Sequence, residues 1–151
     1  MITIIENKKA YFNYQILEKF KAGIVLQGQE VKSIKSGKIS LRGSFVVLRG
    51  EEVFLIGANI PPYQPKNAPK NYNPQRSRKL LLKKSEIRHL IGKAKQRGLT
   101  MVPLKVYTDK GKIKLEFGIV RGKKKVDKRE LIKKREVERE IKRALKGGVR
   151  T

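Results

Sequence analysis

Cysteine and tryptophan are absent from the 151 residues, and histidine occurs once, at His89. Without thiols the chain has no disulfides and no thiolate metal sites, and a single imidazole leaves no zinc-finger spacing. Aspartate is nearly as scarce, with Asp109 and Asp127 the whole supply. The glutamates do not make up the shortage, because no pair of carboxylates recurs at acid/base or metal spacing on one element. Glu51-Glu52 reads as a turn, and Glu136, Glu138 and Glu140 read as solubilising charges on a helical stretch. Neither G-x-x-x-x-G-K-S/T nor G-x-G-x-x-G occurs, so no nucleotide cradle is written here. No run approaches the ~20 apolar residues of a membrane span, and the N-terminal MITIIENKKAY lacks an apolar stretch of signal-peptide length. These absences lead to the expectation of a cytosolic protein with no cofactor, no metal and no catalytic residues.

What the chain does have is positive charge. Lys+Arg number 38 against 13 Asp+Glu, a formal +25 with a pI near 10.5. Self-repulsion on that scale destabilises a compact state unless an anion relieves it, and the commonest such anion is nucleic acid. Only 38% of the residues are apolar and 34% are charged, so the core is small. The organisation expected is one domain, residues 1–120, carrying a basic C-terminal tail, residues 121–151. The tail holds fourteen Lys+Arg against five Asp+Glu. It opens on Gly122-Lys123-Lys124-Lys125 and continues without glycine or proline as far as Lys146. Leu131, Val137, Ile141, Ala144 and Leu145 form a thin apolar stripe, too narrow for a stable isolated helix. The tail is therefore expected to be disordered alone and helical on a partner. A membrane-surface helix is the rival reading, but the stripe lacks Trp and Phe.

The N-terminal ten residues read as a loose arm, with a strand starting near Tyr11. Ile24, Val25 and Leu26 between Gly23 and Gly28 suit a strand with bulges. Glu30 to Ser36 suits a two-turn helix closed by Gly37, with Val31 and Ile34 inward and Lys32 and Lys35 outward. Ser44–Leu48 and Val53–Ala58 flank a glycine-bearing turn, as in a hairpin. Residues 59–77 hold five of the six prolines and four asparagines and read as a long loop. Arg78 to Leu82 leads into a helix capped by Ser85 and ended by Gly98, whose apolar face is Ile87, Leu90, Ile91 and Ala94. Leu99–Tyr107 and Lys112–Val120 form a second hairpin, and the latter alternates as a two-sided strand. About six strands with two or three helices, in so short a chain, point to a mainly β fold: a small OB-like antiparallel barrel.

The binding residues cluster. Lys32, Lys35, Lys38 and Arg42 gather about the first helix and its exit; Arg76, Arg78, Lys79, Lys83 and Lys84 gather before the second. Such groups neutralise phosphates and release counterions, and exposed aromatics stack on unpaired bases. Tyr63 and Tyr72, in the loop, are the stacking candidates. Phe20, Phe45, Phe54 and Phe117 fall in strand patterns and read as core. No helix-turn-helix or basic-zipper heptad is visible, which favours RNA over duplex DNA. A generic single-stranded-RNA barrel or RNA chaperone remains open at this point.

Several ordered blocks carry a resemblance: Gly23-Ile-Val-Leu-Gln-Gly-Gln-Glu-Val-Lys-Ser-Ile, Gly37-Lys38, Arg78-Lys79-Leu80-Leu81-Leu82, Val102-Pro103-Leu104, and Gly122-Lys-Lys-Lys-Val-Asp127-Lys128-Arg129. Together, from about Asn7 to Ala144, they resemble the SsrA-binding protein (SmpB) family. The resemblance implies an OB-like barrel that binds the tRNA-like domain of tmRNA and is monomeric when free. It implies delivery of alanyl-tmRNA, with elongation factor Tu, to stalled ribosomes for peptide tagging, without enzymatic activity. The tail would occupy the empty decoding site and mRNA channel. Positions linked to tmRNA binding fall on Asn7, Leu81 and Lys114, and on Lys21, where the family pattern has a glutamate. The tail residues implied are Lys123, Lys124, Asp127, Lys128 and Arg129. Phe12, Lys83 and Val126 also depart from the family pattern.

Overall fold

The computed structural model describes residues 1–122. The tail residues Lys123, Lys124, Asp127, Lys128 and Arg129, and the expected apolar stripe, lie outside them. Seven antiparallel strands and three α-helices make up the described chain, one strand more than expected.

The N-terminus departs most from the expectation. Ile2–Glu6 is strand β1 rather than a loose arm, and Lys8–Asn13 is helix α1 rather than the start of a strand. Ile2, Thr3, Ile4 and Ile5 are β-branched, and they pair with β6 from Ile2 opposite Thr108 to Glu6 opposite Lys105. In α1, Ala10 is buried with Val102, Leu104 and Val120, and Tyr11, Tyr14 and Ile16 pack around them. This tertiary packing overrides the β-preference of Tyr11 and Phe12.

Strand β2 (Tyr14–Ile24) carries its bulge between Ile16 and Glu18, earlier than the glycines suggested, which leaves Leu17 exposed. Gly23 serves a close approach instead. A Cβ placed there would lie 3.3 Å from Leu81 Cβ. Helix α2 (Gly28–Lys35) starts two residues before the expected point because Gln27 and Glu30 form a capping box, with Gln27 N donating to Glu30 Oε1 at 2.8 Å. Ile34 is buried, and Lys32 and Lys35 are exposed. Strands β3 (Phe45–Arg49) and β4 (Glu52–Ile56) form the expected hairpin, turning at Gly50 with φ 65°.

Arg78–Leu81, expected only as a lead-in to a helix, is a strand, β5, held between β4 and β2. Helix α3 (Lys84–Ala94) is capped through Lys83, whose N–H donates to Glu86 at 3.2 Å, so it starts before Ser85 and ends before Gly98. Strands β6 (Leu99–Asp109) and β7 (Lys112–Gly122) meet at a turn with positive φ at Lys110 and Gly111.

The strand order is β1-β6-β3-β4-β5-β2-β7, and β7 also pairs with β6. Six strands therefore close into a ring, with β1 added outside on β6. The seam between β3 and β6 is one pair, Val46 opposite Met101. Inside the ring, Ile34, Leu55, Ile60, Leu90, Leu115 and Phe117 belong to the main core, and Phe20 stacks on Phe117 at 5.4 Å. The second cluster, under α1, covers the outer side of β6 and β7. Hence β7 is buried on both faces from Leu115 to Val120 instead of alternating between core and solvent. Gly118 sits there because a Cβ would lie 2.9 Å from the Glu18 carbonyl oxygen. Phe45, expected in the core, is exposed, because the alternation of β3 turns Val46 inward and Phe45 outward.

Candidate nucleic-acid interface

The cationic groups fall into two kinds, those the fold has taken inside and those it leaves free. Glu30, in α2, is fully buried, and so is Arg78, in β5. Arg78 Nε donates to Glu30 Oε2 at 2.7 Å, Nη1 to the Ala58 carbonyl at 2.8 Å and Nη2 to the Pro74 carbonyl at 2.9 Å. Arg76 Nη2 donates to Glu30 Oε1 at 2.6 Å. Burial alone would raise the Glu30 carboxyl. Hydrogen bonds from Arg76, from the Gln27 backbone and from Arg78 outweigh burial and hold it below its ordinary value. Arg78 is thus removed from the set of phosphate contacts. It is a scaffold residue that ties α2, β5 and the proline-rich loop together. Arg76 shares the carboxylate but keeps 30% of its side chain exposed.

The long loop is fastened too. The Tyr72 hydroxyl donates to the Ile60 carbonyl at 2.7 Å, and Ser33 Oγ to the Pro61 carbonyl at 2.6 Å. Burial, then the nearby Glu30 charge, raise the Tyr72 phenol above its ordinary value. Tyr63 is exposed, with Lys38 Nζ 5.7 Å from its ring centroid.

The groups that keep exposed surface gather at three concavities. In the first, of about 350 Å³, Leu81 and Lys114 flank Gly23, and Lys112, Leu26 and Val31 are among the other lining residues. Register explains the meeting: Gly23 pairs with Leu81 on one side and Lys114 on the other. Leu81 is 53% exposed, an apolar side chain turned to solvent beside a bare glycine. The second, of about 510 Å³, brings Lys32 and Arg76 together between α2 and the loop. The third, of about 150 Å³, brings Asn7 and Arg42 together with Lys9 and the exposed Phe45. Asn7 is also a fastener, with Nδ2 donating to the Pro103 carbonyl at 2.9 Å and N to the Leu104 carbonyl at 2.7 Å.

Lys35 and Lys79 are exposed but line none of these concavities, and Lys79 faces Glu52 at 3.7 Å. Lys21 stands on β2 opposite Glu116 of β7, which is nearly buried; Lys105 of β6 lies opposite Glu116 on the other side. Phe45 and Gly23 were not named as site residues from the sequence. The strand alternation around Val46 would have marked the first, and a glycine inside a strand the second. Among the described residues no group of three or more His, Asp or Glu side chains is placed to hold a metal ion, and no helix is long and apolar enough to cross a membrane.

A small closed barrel with cations and an exposed leucine gathered in open clefts defines a β-barrel with a cationic binding surface. The profile of the SmpB protein family matches residues 4–147. The SsrA-binding protein of Cupriavidus pinatubonensis is 51% identical over 147 residues, spanning 97% of this chain and 98% of the relative. That of Acaryochloris marina is 51% identical over 145 residues, 96% of this chain and 94% of the relative. A solved chain described as "tmRNA-SmpB: a journey to the center of the bacterial ribosome" superposes with a TM-score of 0.67 at 47% identity, covering 80% of this chain and 85% of its own. The chain belongs to the SmpB family.

Proposed function

We propose that this protein binds the tRNA-like domain of tmRNA and carries alanyl-tmRNA, with elongation factor Tu, to stalled ribosomes for trans-translation in the cytosol. The relatives' description as SsrA-binding proteins, and the neighbour solved with tmRNA and the ribosome, support this reading. The observation that carries it is the row Leu81–Gly23–Lys114, where two positions tied to tmRNA by family resemblance meet across three strands. An exposed apolar side chain beside a glycine gives an unpaired base a flat surface, and the neighbouring ammonium meets its phosphate. Asn7, Arg42, Lys32, Lys38 and Arg76 extend the contact, and Lys21, Lys35 and Lys79 add charge at its margin. The barrel is the RNA-binding unit. The tail, with Lys123, Lys124, Asp127, Lys128 and Arg129, enters the vacant decoding site and mRNA channel. The free protein is a monomer and catalyses no reaction.

The test is a chain ending at Gly122. It is expected to bind the tRNA-like domain within a few-fold of the full chain and to support no peptide tagging on stalled ribosomes. Loss of RNA binding on truncation would overturn this division of labour.

A further inference from the structure

The cleft between α2 and the loop differs in kind from the other two concavities. Lys32 and Arg76 supply charge, yet much of the lining is carboxamide, including Gln29, Asn71 and Asn73. Phosphate binding needs only cations and N–H donors. Side-chain amides carry a donor and an acceptor in one plane, the pattern that reads the edge of a base. Their hydrogen bonds fix how they are presented. Gln29 Oε1 accepts from the Gln64 backbone N–H at 3.2 Å, and Asn73 Oδ1 from that of Gln75 at 3.0 Å. With each oxygen accepting from a backbone donor, the amino group is the end left for a ligand, and neither amino group has an acceptor among the described residues. Asn71 is exposed, and neither end of its amide has a partner among the described residues. The Tyr72 ring lines the same cleft, locked by its hydroxyl bond to Ile60. At about 510 Å³ the space falls in the range of small-ligand sites.

We propose that this cleft is a base-reading site. It takes one unpaired nucleotide of a folded RNA, with Gln29, Asn71 and Asn73 on the base edge, Tyr72 against the ring, and Lys32 and Arg76 on the flanking phosphates. The proposal rests on the functional reading above and adds to it a source of selectivity that charge does not provide.

The test uses the full chain, a transcript of the tRNA-like domain of tmRNA, and a uridine homopolymer. The double variant Gln29→Ala, Asn71→Ala is expected to bind the transcript about tenfold more weakly, equivalent to ~1.4 kcal/mol. The slope of log K against log salt should stay unchanged, because no charge is removed, whereas Lys32→Ala should lower it by about one. Homopolymer binding should change less than about twofold, since charge supplies it. Chemical footprinting should show one unpaired base, protected by the wild type, regaining reactivity with the variant. Wild-type affinity and an unchanged footprint would overturn the proposal, as would an equal loss on both RNAs with a lowered slope. If the double variant does not fold, Asn71→Ala alone carries the same footprint test at an exposed position with no bond to lose. Failure of the functional reading looks different, because the wild type itself would then show no preference for the transcript over the homopolymer.

Discussion

Strand β5 holds two regions of opposite logic three residues apart. At Arg78 it turns a guanidinium into the interior, onto Glu30 and two carbonyls; at Leu81 it turns an aliphatic side chain out to solvent, beside Gly23. Its burial alternates, with Arg78 and Leu80 inside and Lys79 and Leu81 outside. Side-chain chemistry alone would assign the arginine to RNA and the leucine to the core. Position along the pleat reverses both roles. The inward arginine is affordable only because every donor nitrogen of its guanidinium finds an acceptor. The outward leucine adds to an apolar cleft lined also by Ile24, Leu26, Val31 and Ile113, a contiguous surface of the kind that binding sites present.

The comparison is most severely tested at the inner end. Glu30→Ala leaves the Arg78 guanidinium buried without its counter-charge, and a loss of ~3–5 kcal/mol is expected in denaturant unfolding. A loss under about 1 kcal/mol would mean that the junction does not hold the fold. The same carboxylate gives a pH dependence. Its folded pKa lies below its unfolded value, so its contribution is full above the ordinary glutamate value of about 4.3 and drains away as pH falls through the folded pKa. Thermal melts of the wild type should therefore drop below about pH 4.3 more steeply than those of Glu30→Gln. Parallel profiles would remove Glu30 as the source.

At the outer end the expected effects fall on RNA and spare the fold. Leu81→Ala should weaken binding of the tRNA-like domain about five- to tenfold, ~1 kcal/mol, while stability moves by no more than ~0.5 kcal/mol. A variant that unfolds more readily but binds normally would place Leu81 in the scaffold. Gly23→Ala sharpens the point by adding one methyl against Leu81. Binding should fall two- to threefold, with stability changing by under ~1 kcal/mol. The smallest effect is expected between the two ends, at Lys79. Its exposed pairing with Glu52 at 3.7 Å is worth ~0–1 kcal/mol, so Lys79→Ala should barely change the melting temperature.

Much of this was legible in the residues. The two hairpins, α2 with its outward lysines, the inward Ile87 and Leu90 of α3 and the mainly β class follow from period and turn chemistry, whereas Ala94, expected on the same apolar face, is exposed. Arg78 was misassigned because the sequence shows a cluster of neighbouring cations and hides that this one opens a four-residue strand and meets a buried glutamate 48 positions away. The N-terminus was misread because the packing that makes Lys8–Asn13 helical is supplied by Val102, Leu104 and Val120, all distant in sequence. The meeting of Leu81 with Lys114 depends on register across β5, β2 and β7, which no local pattern encodes.

The most direct measurement is competition binding of the tRNA-like domain of tmRNA against unstructured RNA of equal length, for the wild type and for Leu81→Ala with Lys114→Ala. The account predicts that the wild type strongly prefers the tRNA-like domain and that the double variant, still folded, loses most of that preference while keeping its affinity for unstructured RNA within a few-fold. Equal binding of both RNAs by the wild type, or an undiminished preference in the variant, would contradict it.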